Sequence, residues 1–186
     1  MFSPLAHRLH ELSSCASAAT VSRHWLRPAP AWLARNLPLL GSVLYAPMQS
    51  GNRAAPELPR GLVVESRQWA VLLQSHWWVS ASTITADGPR EWIECVDSDG
   101  RLDARLHLLP DTDYLAWDAL LAGAEPIAAP PRWVPSGRPA AAQLLRFHLH
   151  QLAGLYVFGS ITAAQVSPLG QQLAAQIAHA EARAWR

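Results

Sequence analysis

The stretch WIECVDSDGRLDARLHL, residues 92–108, decides the fold prediction for this chain. It holds two short runs separated by Asp97-Ser98-Asp99-Gly100. An Asp-Gly pair between two such runs predicts a β-hairpin, because glycine tolerates the positive φ angle of a tight turn. In the second run, apolar side chains alternate with Asp103, Arg105 and His107. One face of this strand is therefore predicted to be buried, and the other to meet water or a ligand.

The hairpin belongs to a longer block, residues 62–109, whose pattern predicts an antiparallel sheet. Residues 62–73 form an apolar run rich in valine and leucine, and residues 79–84 add a second run. Asp87-Gly88-Pro89 then supplies turn chemistry, since glycine and proline both favour turn backbone angles. We expect the rest of the chain to pack against this sheet.

Helix-start signals occur on both sides of the block. Two Ser-Pro pairs place a capping side chain directly before a proline, which fits the first position of a helix. The expected elements are a helix after Ser3-Pro4, a connector or small helix over 20–31, a helical turn or two over 32–37, a strand over 39–45, a helix capped by Asp111 and stopped by Gly123, and a helix from Ser167-Pro168 to Arg186.

These elements predict one α+β domain over residues 1–186, an antiparallel β-sheet flanked by helices. Its N-terminal helical part is 1–37, and its sheet core with one helix is 38–123. A proline-rich connector covers 124–138, because Pro126, Pro130, Pro131 and Pro135 break regular structure. C-terminal helices are expected over 139–186.

Composition and motifs exclude several classes of function. The formal net charge is +1 with no cluster of basic residues, so neither nucleic acid nor an anionic membrane is expected as a partner. Cys15 and Cys95 lack the spacing of a disulfide framework or a zinc site. No P-loop, GxGxxG, HExxH or GxSxG motif occurs. The N-terminus lacks the apolar core of a signal peptide and no run is long enough to cross a bilayer, so a cytoplasmic protein without membrane insertion is expected.

The candidate site lies in residues 140–158, which are predicted to be a helix. On a wheel of 100° per residue, His148 falls within an apolar stripe, which is typical of a histidine in the core. His150 falls on the other side, with Phe147 about one turn before it and Gly154 about one turn after it. A large flat ligand could lie beside this imidazole, although the wheel alone favours an exposed histidine with no ligand.

The order of several motifs resembles the HemS-type family of cytoplasmic haemin transport and haemin-degrading proteins. LPLLGSV at 37–43 looks like the Leu-Pro-x-Leu-Gly-x-Val entry to one half of such a protein. LQSHW at 73–77 is similar to the family's Ser-His-Trp strand end, and DYLAWDAL at 113–120 is similar to its Trp-bearing helix. HQLAGL at 150–155, followed by Phe158-Gly159, resembles the helix that carries the axial histidine.

The resemblance covers about residues 32–165 and implies a protein for haem trafficking or iron utilisation. It implies that the cofactor is haem and that His150 binds the haem iron. Phe147 and Gly154 would supply the contact surface, and Arg146 would be a candidate partner for a propionate.

Two departures from the family pattern keep other functions open. The second half of the double-length members is missing, and residues 49–53 do not keep the expected Arg-Asn pattern. A homodimer could complete the pocket, because single-half relatives are known to dimerise. The alternatives are a haem-degrading enzyme and a non-haem interaction protein that keeps the fold with a decayed pocket.

Overall fold

The computed structural model describes residues 20–49, 57–130, 133 and 139–183. Within them the chain is an α+β protein. Its strands are β1 (Ser22–Arg27), β2 (Val43–Pro47), β3 (Leu62–Val64), β4 (Trp77–Thr85), β5 (Gly88–Val96), β6 (Leu102–His107), β7 (Glu125–Pro126), β8 (Gln143–Leu152) and β9 (Leu155–Thr162). Its α-helices are α1 (Pro30–Asn36), α2 (Arg67–Leu73), α3 (Tyr114–Ala122) and α4 (Pro168–Arg183), and a 3₁₀ turn covers Leu37–Leu40.

All nine described strands form one sheet in the order β3-β9-β8-β2-β6-β5-β4-β1-β7. Neighbours are antiparallel except β3 and β9, which run parallel at one edge. The sheet is therefore mixed, whereas an antiparallel sheet was predicted. The parallel edge needs a long connection between its two strands, and here β4, β5, β6, β7 and β8 all lie between β3 and β9 in sequence.

The β5–β6 hairpin confirms the prediction from residues 92–108. Asp97 accepts hydrogen bonds at Oδ1 from the backbone N–H groups of Asp99 (2.9 Å) and Arg101 (2.8 Å). Gly100 takes a φ of 80°, a conformation that glycine adopts without a steric cost. The aspartate and the glycine thus close the turn as the sequence indicates.

One face of the sheet carries the main hydrophobic core, onto which α1, the 3₁₀ turn, α2 and α3 pack. The helical segments contribute Leu33, Leu37, Trp69 and Trp117, and the strands contribute Tyr45, Ile93, Leu106, Phe147 and Phe158. α4 packs on the opposite face, where Ala174 contacts a cluster with Leu44 and Leu144. Leu44 and Tyr45 point to opposite sides because successive strand residues alternate. We call the side that carries α4 the α4 face.

The predicted helix over 140–158 is wrong, because this segment forms β8 and β9 as a hairpin. Leu145, Phe147 and Leu149 alternate with polar residues, and this period of two is the signature of a strand. Ala153 and Gly154 form the turn with φ angles of 49° and 82°. Positive φ at both positions is the geometry of a type I′ turn, whose twist suits a hairpin. Of the C-terminal helices predicted over 139–186, α4 is the one that the described residues contain.

Other boundaries also differ from prediction. The connector or small helix expected over 20–31 is mainly strand β1, followed by the start of α1. The strand expected over 62–73 stops at Val64, and α2 follows it. Asp113, instead of Asp111, caps α3 by accepting a hydrogen bond from the N–H of Ala116 (2.9 Å).

The remaining helix predictions divide between confirmed elements and segments outside the described residues. The turn over 32–37 is confirmed as α1, and the terminal helix is confirmed as α4 up to Arg183. Asp111 holds the start of α4, since its Oδ1 and Oδ2 accept hydrogen bonds from the N–H (2.8 Å) and hydroxyl (2.9 Å) of Ser167. The helix predicted after Ser3-Pro4, Cys15 and most of the connector after Pro130 lie outside the described residues.

Candidate functional site

The β8–β9 hairpin decides where the predicted site residues lie. Arg146, His148 and His150 occupy alternate positions of β8 and therefore share one face, the α4 face. The helical wheel placed the two histidines on different faces because it assumes a rotation of 100° per residue. In a strand, residues two positions apart lie on the same face. Sequence analysis thus singled out both imidazoles but placed them on opposite faces.

The rings of His148 and His150 stack against each other on this face. Their centroids are 5.5 Å apart with an interplanar angle of 27°, and the two Nδ1 atoms lie 3.4 Å apart. On its other side, Nε2 of His148 lies 3.4 Å from Oε2 of Glu65. One ligand atom from each of the three residues can be chosen so that all lie within 4.8 Å of one another. The structure therefore builds a His-His-Glu cluster.

Strand register explains how Glu65 reaches the histidines. Glu65 directly follows β3, and its N–H donates to the carbonyl of Phe158 in β9 (3.0 Å). Gly159 is next in β9 and pairs with His148 in β8. A Cβ on Gly159 would overlap the Glu65 carboxylate and approach the His148 ring. Glycine at this position of β9 leaves the space in which the Glu65 carboxylate contacts the His148 imidazole across that strand.

The surface around the histidines is apolar and open. Val157 and Leu155 pair with His150 and Leu152 in the hairpin, so they lie on the same face. The exposed apolar side chains of this region are Val63, Leu152, Leu155 and Ile161. Leu152 is 63% exposed and Ile161 is 59% exposed, and exposed apolar patches of this kind mark ligand or partner surfaces. We call this surface, with His148 and His150, the hairpin patch.

Two of the predicted contact residues are not part of the hairpin patch. Phe147 is only 4% exposed and lies on the core face, where its ring packs against Trp69 and Phe158 at centroid distances of 5.4 Å. Gly154 lies in the hairpin turn, and its positive φ gives it a backbone role. The structure brings Arg146 to the face of His150 but does not bring Phe147 there.

Sequence reasoning missed Glu65 and the significance of Gly159. Glu65 is 83 positions before His148 in the chain, and no local motif connects them. Their contact depends on the parallel pairing of β3 with β9. An isolated glycine within the strand pattern of residues 155–162 was the available signal, because such a glycine often marks close approach of another group.

A second polar cluster lies beneath α4, nearer the centre of the sheet. Glu94 of β5 is fully buried and accepts hydrogen bonds from Arg105 Nε (3.2 Å) and Nη2 (3.0 Å). Arg105 Nη1 also lies 2.6 Å from Oε2 of Glu181 in α4. Nε2 of His107 lies 3.4 Å from the other Glu181 oxygen. The cluster ties α4 to the sheet and lines a cavity of about 330 Å³.

The ionisation of Glu181 reflects these neighbours. Burial alone would raise the pKa of its carboxyl group, but His107 and Arg105 outweigh that effect and leave the pKa below its usual range. Glu181 is therefore held as a carboxylate. On the core face, burial raises the pKa of the Cys95 thiol, which keeps the thiol protonated and unreactive.

No protein-family model matches this chain, and no curated protein matches it. Among the described residues, no helix has both the length and the apolar character needed to span a bilayer.

Proposed function

We propose that this chain is a cytoplasmic haem-binding protein for haem trafficking or utilisation, with His150 as the iron ligand. The observation that carries the proposal is an exposed imidazole beside exposed apolar side chains on the same face of the sheet. A porphyrin presents a broad apolar plane around an iron that accepts imidazole nitrogen. The hairpin patch combines the two features that such a cofactor needs.

The contacts of His150 favour one of its nitrogens for iron. Its Nδ1 faces His148 at 3.4 Å, so Nε2 is the nitrogen left for the haem iron. The exposed side chains of Val63, Leu152 and Leu155 provide apolar surface near that ring. Burying such surface against a porphyrin would contribute about 25 cal/mol for each Å² removed from water.

Arg146 is the candidate partner for a propionate. It lies four positions before His150 on the same face of β8, a separation of about 13 Å along a strand that rises about 3.3 Å per residue. A flexible arginine side chain can extend back from that position toward the edge of the porphyrin, and its guanidinium suits a carboxylate. Phe147 is left out of the proposal because its ring is buried on the core face.

An open sheet surface covers one side of a haem, so the proposal includes a second copy of the chain on the other side. Exposed apolar residues of the hairpin patch would then meet the cofactor and the partner together. This arrangement suits a carrier, because separation of the two copies would release the haem. Ring cleavage would need an exposed iron site and an electron donor in addition.

A haemin titration tests the proposal. We expect the wild-type protein to give a Soret spectrum of histidine-bound haem, and His150→Ala to bind haemin more weakly. The loss should exceed the roughly 10–100-fold that removal of an outer-shell contact typically costs. His179→Ala is the matched control, because His179 is an exposed histidine on α4. Equal spectra and affinities for wild type and His150→Ala would remove His150 as the ligand.

Two further measurements on the same samples address the alternatives. Sedimentation with and without haemin should show a dimer that haemin favours. Adding a reductant and oxygen should leave the Soret band of a carrier in place, whereas bleaching would indicate a haem-degrading enzyme. If no haemin binds at all, the chain is better described as a non-haem interaction protein.

A further inference from the structure

We propose that His148 and His150 form a binding site for a divalent transition-metal ion, with Glu65 as the residue that positions His148. This site is distinct from haem coordination, because it uses the facing Nδ1 atoms of both rings. It goes beyond the proposed function and is tested separately from it. Three features of the cluster support a metal site.

The first feature is the separation of the two nitrogens. Zinc binds imidazole nitrogen at about 2.0–2.1 Å in tetrahedral sites, so two nitrogens on one ion stand about 3.3 Å apart. The Nδ1 atoms of His148 and His150 are 3.4 Å apart. The separation of the two nitrogens therefore matches the one that a single ion bound to both would require.

The second feature is the contact between Glu65 and His148. Nε2 of His148 lies 3.4 Å from the Glu65 carboxylate, which favours the tautomer with a proton on Nε2. That tautomer leaves a lone pair on Nδ1, directed toward His150. Metal-binding histidines commonly donate their second N–H to a carboxylate in this way, which orients the ring and raises its basicity.

The third feature is the rigidity and accessibility of the site. Both histidines belong to β8 and are held there by pairing with β9, His148 opposite Gly159 and His150 opposite Val157. Gly159 keeps open the space in which Glu65 meets His148. His150 is exposed and His148 is half-buried, so water can complete the coordination shell. Imidazole ligands suit copper, nickel and zinc.

The metal site and the haem site share His150 but depend on different atoms. A neutral imidazole that gives Nδ1 to a metal ion carries its proton on Nε2, so it cannot give Nε2 to haem iron at the same time. The two ligands should compete. Glu65 is needed for the metal ion alone, and a variant at this position separates the two proposals.

The test uses the full chain without a purification tag, titrated with Cu²⁺, Ni²⁺ and Zn²⁺ by calorimetry. We expect one ion per chain at this site, with affinity in the order Cu²⁺ above Ni²⁺ and Zn²⁺. His148→Ala and His150→Ala should each weaken Ni²⁺ binding by more than about tenfold. Glu65→Gln should weaken it by about 10–100-fold. His179→Ala should leave it unchanged, and circular dichroism should confirm that each variant is folded.

Electron paramagnetic resonance of the Cu²⁺ complex gives a second readout that a purely structural role would not change. The wild-type spectrum should show hyperfine coupling to two imidazole nitrogens, and His148→Ala should show coupling to one. Equal Ni²⁺ affinities for wild type, His148→Ala and His150→Ala would overturn the proposal, as would a Cu²⁺ spectrum that His148→Ala leaves unaltered.

Haemin titration of Glu65→Gln keeps the two proposals distinguishable. That variant retains both histidines, so its haemin affinity should stay close to that of the wild type while its Ni²⁺ affinity falls. If haemin fails to bind the wild type but Ni²⁺ binds as described, the haem proposal falls and the metal site stands.

Discussion

Replacing Arg105 by methionine should destabilise the protein strongly, because this arginine lies between two carboxylates. Its Nη2 is 3.0 Å from Oε1 of the fully buried Glu94, and its Nη1 is 2.6 Å from Oε2 of Glu181. The Arg105 side chain is only 14% exposed, so water screens these contacts weakly. Methionine keeps the apolar stem but removes the charge.

The expected loss in free energy of unfolding depends on the partners that the buried Glu94 carboxylate keeps after the substitution. Removing one partner of a buried ion pair typically costs about 3–5 kcal/mol, because the other charge stays buried without compensation. Arg23 Nε remains 3.8 Å from Glu94 Oε2, and the Trp92 indole N–H still donates to Oε1 (3.1 Å). We therefore expect a loss near the lower end, about 3 kcal/mol.

Urea denaturation measures this loss. With a slope of about 2–3 kcal/mol per molar, typical of larger domains, 3 kcal/mol lowers the midpoint by about 1–1.5 M. Arg101→Met is the matched control, because Arg101 and Asp99 form an exposed pair (57% and 67% exposed). Such pairs contribute about 0–1 kcal/mol. Adding Glu94→Gln to Arg105→Met should recover part of the lost stability, because it removes the stranded charge.

A loss below about 1 kcal/mol for Arg105→Met would refute this reasoning, since it would mean that Glu94 is not effectively buried. An equal loss for Arg105→Met and Arg101→Met would have the same meaning. A double variant no more stable than Arg105→Met alone would show that lost packing, and not charge, causes the effect.

Three further predictions follow from individual residues. Because the pKa of Glu181 is lowered in the folded protein, its ionised carboxylate stabilises the fold above the pH at which an unfolded glutamate titrates, about 4.3. This stabilisation is lost as the pH falls through the lower pKa of the folded state. The difference in free energy of unfolding between wild type and Glu181→Gln should therefore shrink toward zero in acid. Gly159→Ala should displace Glu65 and thereby weaken Ni²⁺ binding measured by calorimetry. Its control, Gly154→Ala, should leave Ni²⁺ binding unchanged and lower the free energy of unfolding in urea by about 1 kcal/mol, because Gly154 has a positive φ. The Cys95 thiol, fully buried, should resist alkylation in the native protein and react after unfolding, as followed by mass spectrometry of its peptide.

The central hairpin was predictable because its signals are local and agree with one another. Asp97 and Gly100 close a turn, and apolar and polar residues alternate in the sequence after it. The structure departs from this alternation only near the turn, where the pairing shifts register between Cys95 and Val96. Even in this hairpin, the sequence predicted which residues share the polar face but did not predict that this face is covered. His107 is buried, because α4 covers this face and Glu181 approaches it. Alternation predicts which side a residue faces, but the element that covers that side comes from elsewhere in the chain.

The β8–β9 hairpin was missed because its sequence fits two periods. Leucines at 144, 145, 149, 152 and 155 satisfy a helical wheel, while the alternation of Leu145, Phe147 and Leu149 satisfies a strand. The turn carries Ala153 before Gly154, so the familiar Asn-Gly signal is absent. The start of β8 also pairs with β2, which is distant in sequence, so no short window of sequence contains that pairing.

The pairing of β9 with β8 and β3 explains why only part of the candidate site was predictable. His150 was identified because it lies next to family-like motifs, yet its chemical neighbours depend on register. A strand places His148 beside it, and the parallel edge strand brings Glu65 across Gly159. Correcting the secondary structure therefore changes the chemistry of the site from one imidazole with an aromatic neighbour to two imidazoles with a carboxylate.

The buried charges beneath α4 also bear on the openness of the hairpin patch. α4 is held to the middle of the sheet by Glu181 through Arg105, and its start is held by Asp111 through Ser167. Sliding the helix over β8 and β9 would separate Glu181 from both Arg105 and His107 and would remove Ser167 from Asp111. The interactions that stabilise the fold therefore keep the imidazole surface open to a ligand.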